Sequence, residues 1–469
     1  MGDQPRVRRN VYSLDPKGAE LTSYAQGITA MQARPANDPT SWTFWAAMHG
    51  SRKRPSTPLE TQLWNGCQHG CWFFLSWHRM YIYFFENMIQ AASGDPSFGL
   101  PYWNYSDQYP QWAALPPPFQ APPTGAAPLY VPNRDAGINS GSSVLPQGDV
   151  DYANAYAVSE FYRSIDNGFG GGPPAGDSHF DTEYGQLEMT PHNAVHNDVG
   201  GWMTDPDTAA QDPIFWCHHS NIDRLWEGWL KANADPTDAG WLDRQYPFVD
   251  TSGKTFTITF RQFAQTYGGN VSYNDPPAGP PGTADPPAGG SSPMSPVNGP
   301  APSRRTLAVA PEGSYELTGR RSVVSVPLQA EARSYMAEAA DPAAGKRVGL
   351  RIDDIQFDEP PKGPYQVFLN LPEGTTPDYR SPYYVGNVTF FGHAHEPGAR
   401  RRVGSHRFDV TRQVSELKAK GEWDDGQVKV TFVPSGPVPA PGAETPGEPA
   451  EEELSKPKAW VGHVSLFNG

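Results

Sequence analysis

Two long stretches of the chain have the apolar patterning of buried helices. Residues 72–92 (WFFLSWHRMYIYFFENMIQAA) contain no Pro or Gly and are apolar on nearly every face, as is typical of a helix inside a core. A second helix is predicted to begin at Asp212-Pro213, because an acidic N-cap followed by Pro is a common helix start. Residues 44–50 and 190–197 look like pieces of two further helices, joined by long Pro/Gly-rich segments. The pattern predicts a mainly α core, a four-helix bundle with long loops.

The last third of the chain has short segments rich in Val, Ile, Phe and Tyr that are separated by turn residues. This pattern is typical of strands and predicts an all-β sandwich or barrel. The predicted strands are residues 322–328, 349–357, 365–371, 383–391, 406–410, 427–433 and 459–467.

Between these two parts the composition changes abruptly. Residues 274–304 read NDPPAGPPGTADPPAGGSSPMSPVNGPAPSR, a composition typical of a linker and of a site accessible to proteases. The chain is therefore predicted to be multidomain, with a helical domain at 1–273, a linker at 274–312 and a β domain at 313–469.

Charge and composition exclude several classes of partner. The net charge is −15, from 36 basic and 51 acidic residues, and such a chain repels phosphate backbones and anionic lipid. We therefore expect no nucleic acid and no membrane partner. The N-terminal arginines Arg6, Arg8 and Arg9 are followed by no apolar stretch, so no secretion signal is predicted. We expect a soluble, cytoplasmic protein, with export by another route left open.

Histidines are concentrated in the predicted helical domain, where 8 of the 12 precede residue 220. His192 and His196 are spaced i and i+4, which places both rings on one helix face and lets them bind one metal ion. Such a pair also arises by chance as two polar helix residues. His218 and His219 on a capped apolar helix strengthen the metal hypothesis, although adjacent helical residues diverge by about 100°. Only one of them is expected to face the same centre.

A second set of three histidines lies earlier in the chain. His78 is inside the apolar helix, and His69, flanked by Gly66 and Gly70, fits a loop that folds back toward it. His49 completes the set. Two sets of three imidazoles without a carboxylate suit copper best and leave a position on each ion for an exogenous ligand. A dinuclear copper site that binds dioxygen is the resulting hypothesis.

Two segments resemble the copper motifs of tyrosinases and polyphenol oxidases. HGCWFFLSWHRMYIYFFE (69–86) is similar to the first motif, and HNAVHNDVGGWM with DPIFWCHHSNIDRLW (192–226) is similar to the second. The resemblance covers residues 9–273. It implies that His218 is a packed neighbour and that each of two copper ions has three ligands, His49, His69 and His78 for one and His192, His196 and His219 for the other.

The three cysteines are too few for a disulfide framework. Cys67 precedes His69 by two residues, which resembles the thioether crosslink of fungal tyrosinases and molluscan haemocyanins. A buried inert thiol is the alternative. Cys71 and Cys217 are assigned to packing.

The resemblance also implies two catalytic side chains. Glu188, four residues before His192, matches an acid that orients a water near copper in plant polyphenol oxidases, and Asn193 matches an asparagine that assists this water in bacterial tyrosinases. Together they would provide a base for a phenol proton, whose ordinary pKa is about 10. The alternative for Glu188 is an exposed acid at a helix entry.

Residues 347–434 resemble the C-terminal domain of plant polyphenol oxidases, which covers the copper site in the latent form. The resemblance implies an intramolecular inhibitor with a plugging side chain, for which Tyr379, Tyr383 and Tyr384 are the candidates. Ordinary strand-edge aromatics are the alternative. Cleavage by an activating protease in the linker is the implied release.

The function expected from these observations is that of a latent tyrosinase or polyphenol oxidase, a copper enzyme using dioxygen. It would ortho-hydroxylate small monophenols and oxidise o-diphenols to o-quinones. A catechol oxidase or an o-aminophenol oxidase without hydroxylase activity would need the same centre. A haemocyanin-like oxygen-binding protein is the alternative outside enzymes.

Overall fold

The computed structural model describes residues 5–122, 127–174, 176, 181–279, 304–392, 400–444, 447 and 450–469. Most of the predicted linker, residues 280–303, lies outside the described residues. Among the described residues no helix combines the length and apolar character needed to cross a membrane.

The first domain is helical, as predicted, and α4 lies at its centre between α1 and α10. The apolar stretch forms α4 and ends at Gly94, which has a φ of 75°, and Asp212 caps α10 by accepting a hydrogen bond from the Ile214 N–H. The helices are α1 Ala19–Gln32, α2 Trp42–His49, α3 Pro58–Leu63, α4 Phe74–Ser93, α5 Ala136–Ser140, α6 Gln147–Val150, α7 Ala153–Tyr156, α8 Ala194–Val199, α9 Pro206–Ala209, α10 Pro213–Trp229, α11 Ala239–Leu242 and α12 Phe260–Tyr267.

The residues before α8 interrupt the fourth predicted helix. Glu188–Asn193 forms a wide helical turn in which Thr190 is extended, with φ −146° and ψ 122°. The chain then continues directly into α8. Residues 190–197 are thus one turn and one short helix rather than a single regular helix.

Among the described residues, the first domain also contains five short strands, and the first of them pairs with the last. β1 lies parallel to β5, and its buried Arg6 and Arg8 donate to Glu86 of α4 at 3.1 and 3.2 Å. The two ends of the domain are therefore fixed to its central helix. These strands are β1 Arg6–Arg8, β2 Ser143–Val144, β3 Gln245–Val249, β4 Thr255–Thr259 and β5 Val271–Tyr273.

The second domain contains two antiparallel sheets, as predicted. Their alternating apolar side chains share one core. One sheet has the order β11-β10-β14-β8, and the other has the order β12-β9-β16-β6, with β13 on β9 and β7 on β16. The strands are β6 Thr306–Val309, β7 Tyr315–Thr318, β8 Ser322–Pro327, β9 Val348–Phe357, β10 Tyr365–Leu369, β11 Tyr384–Val388, β12 Arg401–Val403, β13 His406–Asp409, β14 Gln427–Pro434, β15 Val438–Pro439 and β16 Pro457–Asn468.

Two features of the second domain differ from the expectation. β6 pairs with the last strand β16, although its residues fall in the range assigned to the linker. The domain also contains helices, which the strand pattern did not predict. They are α13 Ala330–Ala339, α14 Thr411–Ala419 and α15 Glu451–Ser455.

The two domains interlock. Phe391 of the second domain packs in the core of the first, while Tyr184 and Met189 of the first pack in the core of the second. β2 of the first domain pairs with β15 of the second, and an ion pair of 2.5 Å joins Arg407 to Glu183. The β domain is therefore fixed on the face of the helical domain that holds the histidines.

Candidate metal centre

The six histidines predicted as ligands lie together in the interior of the first domain, and none is more than 3% exposed. They come from the end of α2 (His49), the loop before α4 (His69), α4 (His78), the turn before α8 (His192), α8 (His196) and α10 (His219). Elements far apart in sequence therefore supply one site.

The loop that carries His69 depends on a glycine. Gly70 has a φ of 61°, and a Cβ at this position would lie 2.1 Å from the Asp181 carbonyl oxygen. Only glycine satisfies both conditions. The resulting turn brings His69 back over α4, as the sequence predicted, with ring centroids of His69 and His78 4.9 Å apart.

The first group consists of His49, His69 and His78. The ring of His49 lies 5.1 Å from that of His69 and 5.5 Å from that of His78. These separations are consistent with three imidazoles around one ion.

The second group consists of His192, His196 and His219. The ring of His192 lies 4.6 Å from that of His196 and 4.9 Å from that of His219. The two groups meet where His78 and His219 stack, with centroids 4.5 Å apart and planes at 12°. The two groups therefore form one continuous cluster of histidines.

Both histidines of the His218-His219 pair approach the second group, whereas helix geometry predicted that only one would. Each offers a ring nitrogen within 4.8 Å of those of His192 and His196. His219 is also grouped with His49 and His78, so it faces the space between the two sets. The ring of His218 lies 5.2 Å from that of His192, 4.9 Å from that of His196 and 5.7 Å from that of Tyr105.

Hydrogen bonds donated by Nδ1 orient most of these rings. A histidine that donates from Nδ1 presents the lone pair of Nε2 to a metal, which is the usual arrangement of ligating histidines. The Nε2 atoms of His78, His192 and His196 have no hydrogen-bond partner among the described residues. The Nδ1 bonds are His49 to Pro206 O (2.9 Å), His78 to Phe74 O (2.8 Å), His192 to Asn193 Oδ1 (2.8 Å) and His196 to Met203 O (2.7 Å).

Burial also keeps the rings neutral. It lowers the pKa of His69, His78, His192, His196 and His219 well below the ordinary value, and the neighbouring histidines lower it further. Neutral imidazole is the form that binds a metal. A buried set of nitrogen donors without a carboxylate fits copper.

Cys67 lies beside the first group. Its sulfur is within 4.8 Å of ring nitrogens of His49 and His69, and burial raises the pKa of its thiol. Cys71 and Cys217 are buried in the core of the first domain. The structure thus brings Cys67 to the histidine it was predicted to modify.

Glu188 and Asn193 both lie on the turn before α8 and are buried. Glu188 accepts a hydrogen bond from the Gly70 N–H at 2.8 Å, and burial raises the pKa of its carboxyl well above the ordinary value. Asn193 accepts from His192 and donates to Thr389 of the second domain, at 3.3 Å. Glu188 is therefore an interior acid, not an exposed acid at a helix entry.

Among the described residues, the second-domain ring that packs on the predicted histidine ligands is that of Phe391, and not that of a predicted tyrosine. Its ring stacks on His196 with centroids 4.1 Å apart, and lies 5.4 Å from His69 and 5.6 Å from His192. The histidines are therefore covered from the side of the second domain.

The three tyrosines predicted as the plug lie elsewhere. Tyr384 donates to Asn387 at 3.1 Å and Tyr383 donates to Glu422 at 2.8 Å. Tyr379 packs at the edge of a small apolar cluster with Tyr384. These contacts use the tyrosines within the second domain and at its edge.

A signal for Phe391 was present in the sequence. Adjacent residues of an extended segment point to opposite faces, so only one of Phe390 and Phe391 can enter the second core. Phe390 does so, against Phe357 and Tyr365 at 5.6 and 5.8 Å. Phe391 must then point away from that core, toward the histidines.

Comparisons with known proteins agree with this geometry. A family model described as the common central domain of tyrosinase matches residues 39–161 and 139–232, and one described as a domain of unknown function, DUF7868, matches residues 305–443. The chain is 32% identical to tyrosinase HcTyr1 of Hahella sp. (strain CCB-MM4) over 92% of this chain and 95% of that one. It is 27% identical to a chloroplastic polyphenol oxidase of Malus domestica, over 92% and 75%.

Solved structures share the fold. Latent apple tyrosinase matches with a TM-score of 0.64 and 22% identity over 100% of this chain and 98% of that one. A latent aurone synthase matches with a TM-score of 0.63 and 21% identity, over 100% and 90%. Both domains and their order are therefore shared with these proteins.

Proposed function

Because the chain belongs to the tyrosinase and polyphenol oxidase family of copper oxidoreductases, we propose that it is a latent enzyme of that family. It ortho-hydroxylates monophenols and oxidises o-diphenols to o-quinones with dioxygen. The observation that carries the proposal is the pair of buried histidine groups that meet at His78 and His219.

Each group would hold one copper ion. His49, His69 and His78 are the ligands of one ion and His192, His196 and His219 are those of the other. Bound copper would supply dioxygen binding and the redox chemistry on the phenol. The protein contributes neutral rings, most of them fixed in orientation by Nδ1 hydrogen bonds, and a site closed to bulk water.

Glu188 and Asn193 would hold the water that removes the phenol proton. The second carboxyl oxygen of Glu188 has no hydrogen-bond partner among the described residues, and so can accept from a water. Burial raises the pKa of this carboxyl, which makes its carboxylate a stronger base. Asn193 would donate its amide N–H to the same water.

The thioether between Cys67 and His69 is part of the proposal, supported by the proximity of the two side chains. Its formation joins Sγ of Cys67 to a ring carbon of His69 and removes one hydrogen from each; dioxygen would accept the two hydrogens with their electrons and leave as hydrogen peroxide. We expect the copper-loaded chain to have an intact mass lower by two hydrogen atoms than the copper-free chain. A peptide map should place that loss on the segment containing both residues, and the Cys67→Ala chain should not show it.

The β domain, which we take to start at residue 304 because Arg305 already bonds to Asn468 at the end of the chain, is the intramolecular inhibitor. Phe391 occupies the space above the histidines that a phenol ring would need. Cleavage within residues 280–303 by a protease is the proposed route to the active form.

The test uses the full chain with Phe391→Ala, loaded with copper, and the matched substrates tyramine and dopamine. Burial of the Phe391 ring stabilises the closed site by about 1.5–3 kcal/mol. Its removal should therefore raise the rate of dopamine oxidation about tenfold or more over wild type. Oxidation of dopamine alone, both in this chain and after Thr389→Val is added to it, would leave a catechol oxidase. Oxygen binding without turnover would indicate a carrier. A chain that neither binds oxygen nor oxidises either substrate would refute the proposal.

A further inference from the structure

One extended segment of the β domain, Thr389-Phe390-Phe391, contacts the first domain in three ways. Phe391 stacks on His196. The backbone N–H of Phe390 donates to Asn197 Oδ1 at 2.9 Å, and the hydroxyl of Thr389 accepts from the Asn193 amide at 3.3 Å. The segment therefore engages a proposed catalytic side chain as well as the space above the histidines.

The orientation of the Asn193 amide is fixed by its neighbours. Its oxygen accepts from Nδ1 of His192 at 2.8 Å, so its nitrogen must point the other way, toward Thr389. Rotating the amide would place two donors against each other and remove the hydrogen bond that orients His192. The amide nitrogen carries two N–H donors, and one of them is thus directed at Thr389.

Thr389 is held in place by a histidine of its own domain. His406 donates from Nδ1 to the Gly404 carbonyl at 3.1 Å, so its Nε2 is the acceptor. Nε2 accepts from the Thr389 N–H at 3.2 Å and lies 3.1 Å from the Thr389 hydroxyl. The hydroxyl hydrogen therefore points to His406, which leaves an oxygen lone pair for Asn193.

We propose that Thr389 is a second lock, distinct from the steric one: a positioning residue that occupies one of the two N–H donors of the Asn193 amide and so keeps that amide from orienting the catalytic water. The inference rests on the proposed role of Asn193. The segment would then inhibit in two ways. Phe391 blocks entry of any phenol, whereas Thr389 blocks the proton transfer that a monophenol needs most. The side chains of Asn193 and Thr389 are both buried, each about 1% exposed, so solvent does not compete for the hydrogen bond between them.

The consequence concerns substrate class. A chain opened by Phe391→Ala alone should oxidise dopamine while hydroxylating tyramine poorly, because Thr389 still holds Asn193. Adding Thr389→Val removes the hydroxyl at nearly constant volume. It should raise the tyramine rate about fivefold or more, which is a fraction of the rate gain that a general base provides. The dopamine rate should change less than twofold.

Two variants control for loosening of the domains. Ser435→Ala in the same Phe391→Ala chain breaks another hydroxyl bond between the domains, from Ser435 to Asp149 at 2.6 Å, without contact to Asn193. It should change both rates in parallel or neither. Thr389→Ser keeps the hydroxyl and should restore the low ratio of tyramine to dopamine rates.

A second readout needs neither copper nor turnover. In the copper-free full chain, Thr389→Val should lower Tm less when Asn193→Ala is already present, because the bond between the two residues is then already absent. The Tm loss caused by Ser435→Ala should be the same with and without Asn193→Ala.

The inference is overturned if Thr389→Val alters both rates as Ser435→Ala does, if Thr389→Ser behaves like Thr389→Val, or if the Tm losses are additive. Failure of the proposed function has a different signature. In that case the copper-loaded Phe391→Ala chain would not oxidise dopamine, while the copper-free Tm measurements would still report the contact.

Discussion

A single ring nitrogen decides which histidines can bind metal. In His196, Nδ1 donates to the Met203 carbonyl, so Nε2 is the atom left for copper. His218 and His219 both lie beside His192 and His196, but His219 is also grouped with His49 and His78 of the first group. This position between the two groups is what favours His219 over His218 as the proposed ligand.

We expect His196→Ala to reduce the copper bound per chain from two ions to one, because the second group loses a ligand. His218→Ala should retain both ions. The measurement is metal analysis after dialysis, with Tm of the copper-free forms as a check on folding. Loss of an ion in His218→Ala and not in His196→Ala would reverse the ligand assignment.

Glu188→Gln should keep the hydrogen bond from the Gly70 N–H and remove the base. In the copper-loaded Phe391→Ala/Thr389→Val chain we expect tyramine hydroxylation to fall by about a hundredfold, the scale of a lost general base. Dopamine oxidation in the same sample is the internal control. An equal fall in both rates would show that Glu188 supports the site without acting on the proton.

The histidines proposed as ligands could be predicted because they lie in long motifs, whereas the covering ring was predicted to be one of three tyrosines. Tyr379, Tyr383 and Tyr384 looked suitable because they are aromatic and lie next to a strand. What selects Phe391 is the alternation of side chains after β11, together with a docking orientation that depends on contacts between domains such as Asn197 with Phe390.

At the scale of elements, strong patterns were reliable and weak ones were not. α4 and α10 were predicted from continuous apolar patterning and a Pro-containing cap. β6 was missed because it follows a Pro-rich segment and is stabilised by pairing with β16, about 160 residues later. α13 and α14 were missed because strands dominate the composition around them, and tertiary packing, not local propensity, determines their apolar faces.

A substitution of Gly50 tests whether the close contact at the end of α2 positions His49. A Cβ there would lie 2.4 Å from the Pro206 carbonyl oxygen, which is the acceptor for Nδ1 of His49. Gly50→Ala should therefore displace Pro206, destabilise the fold by about 1–3 kcal/mol and weaken copper binding at the first group.

Gly269→Ala is the matched control, because nothing lies within 4 Å of a Cβ at that position. Thermal unfolding of the copper-free chains and copper titration would measure the two effects. Equal Tm values for the two variants would contradict the assigned close contact.

At the scale of the whole molecule, a buried carboxyl lies where the domains meet. Asp149 of the first domain accepts from Asn387 at 3.1 Å and from Ser435 at 2.6 Å, both in the second domain. Burial raises the pKa of Asp149 to about 7. The domain contact therefore contains a group that prefers to be neutral.

Stability should depend on pH through this group. The folded pKa lies above the unfolded one, so the folded chain binds the proton more tightly. The contribution is fully present below about pH 4 and is lost as pH rises to about 7, on the order of 4 kcal/mol. Asp149→Asn should thus gain Tm relative to wild type as pH is raised from 4 to 8.

Asp243→Asn is the comparison, because it removes an exposed carboxylate whose pKa is lowered by Arg261. Its Tm relative to wild type should not rise with pH. A difference between Asp149→Asn and wild type that stays constant over this range would show that Asp149 is ionised throughout.

The pairing of β2 with β15 joins the domains through backbone hydrogen bonds. A cut within residues 280–303 removes the covalent tether but leaves this sheet and the ion pair of Arg407 with Glu183. The severed β domain then becomes a separate ligand whose occupancy follows its concentration. If cleavage is the route to the active form, as proposed, proteolysis and activation are separate steps, and a nicked sample should become more active on dilution.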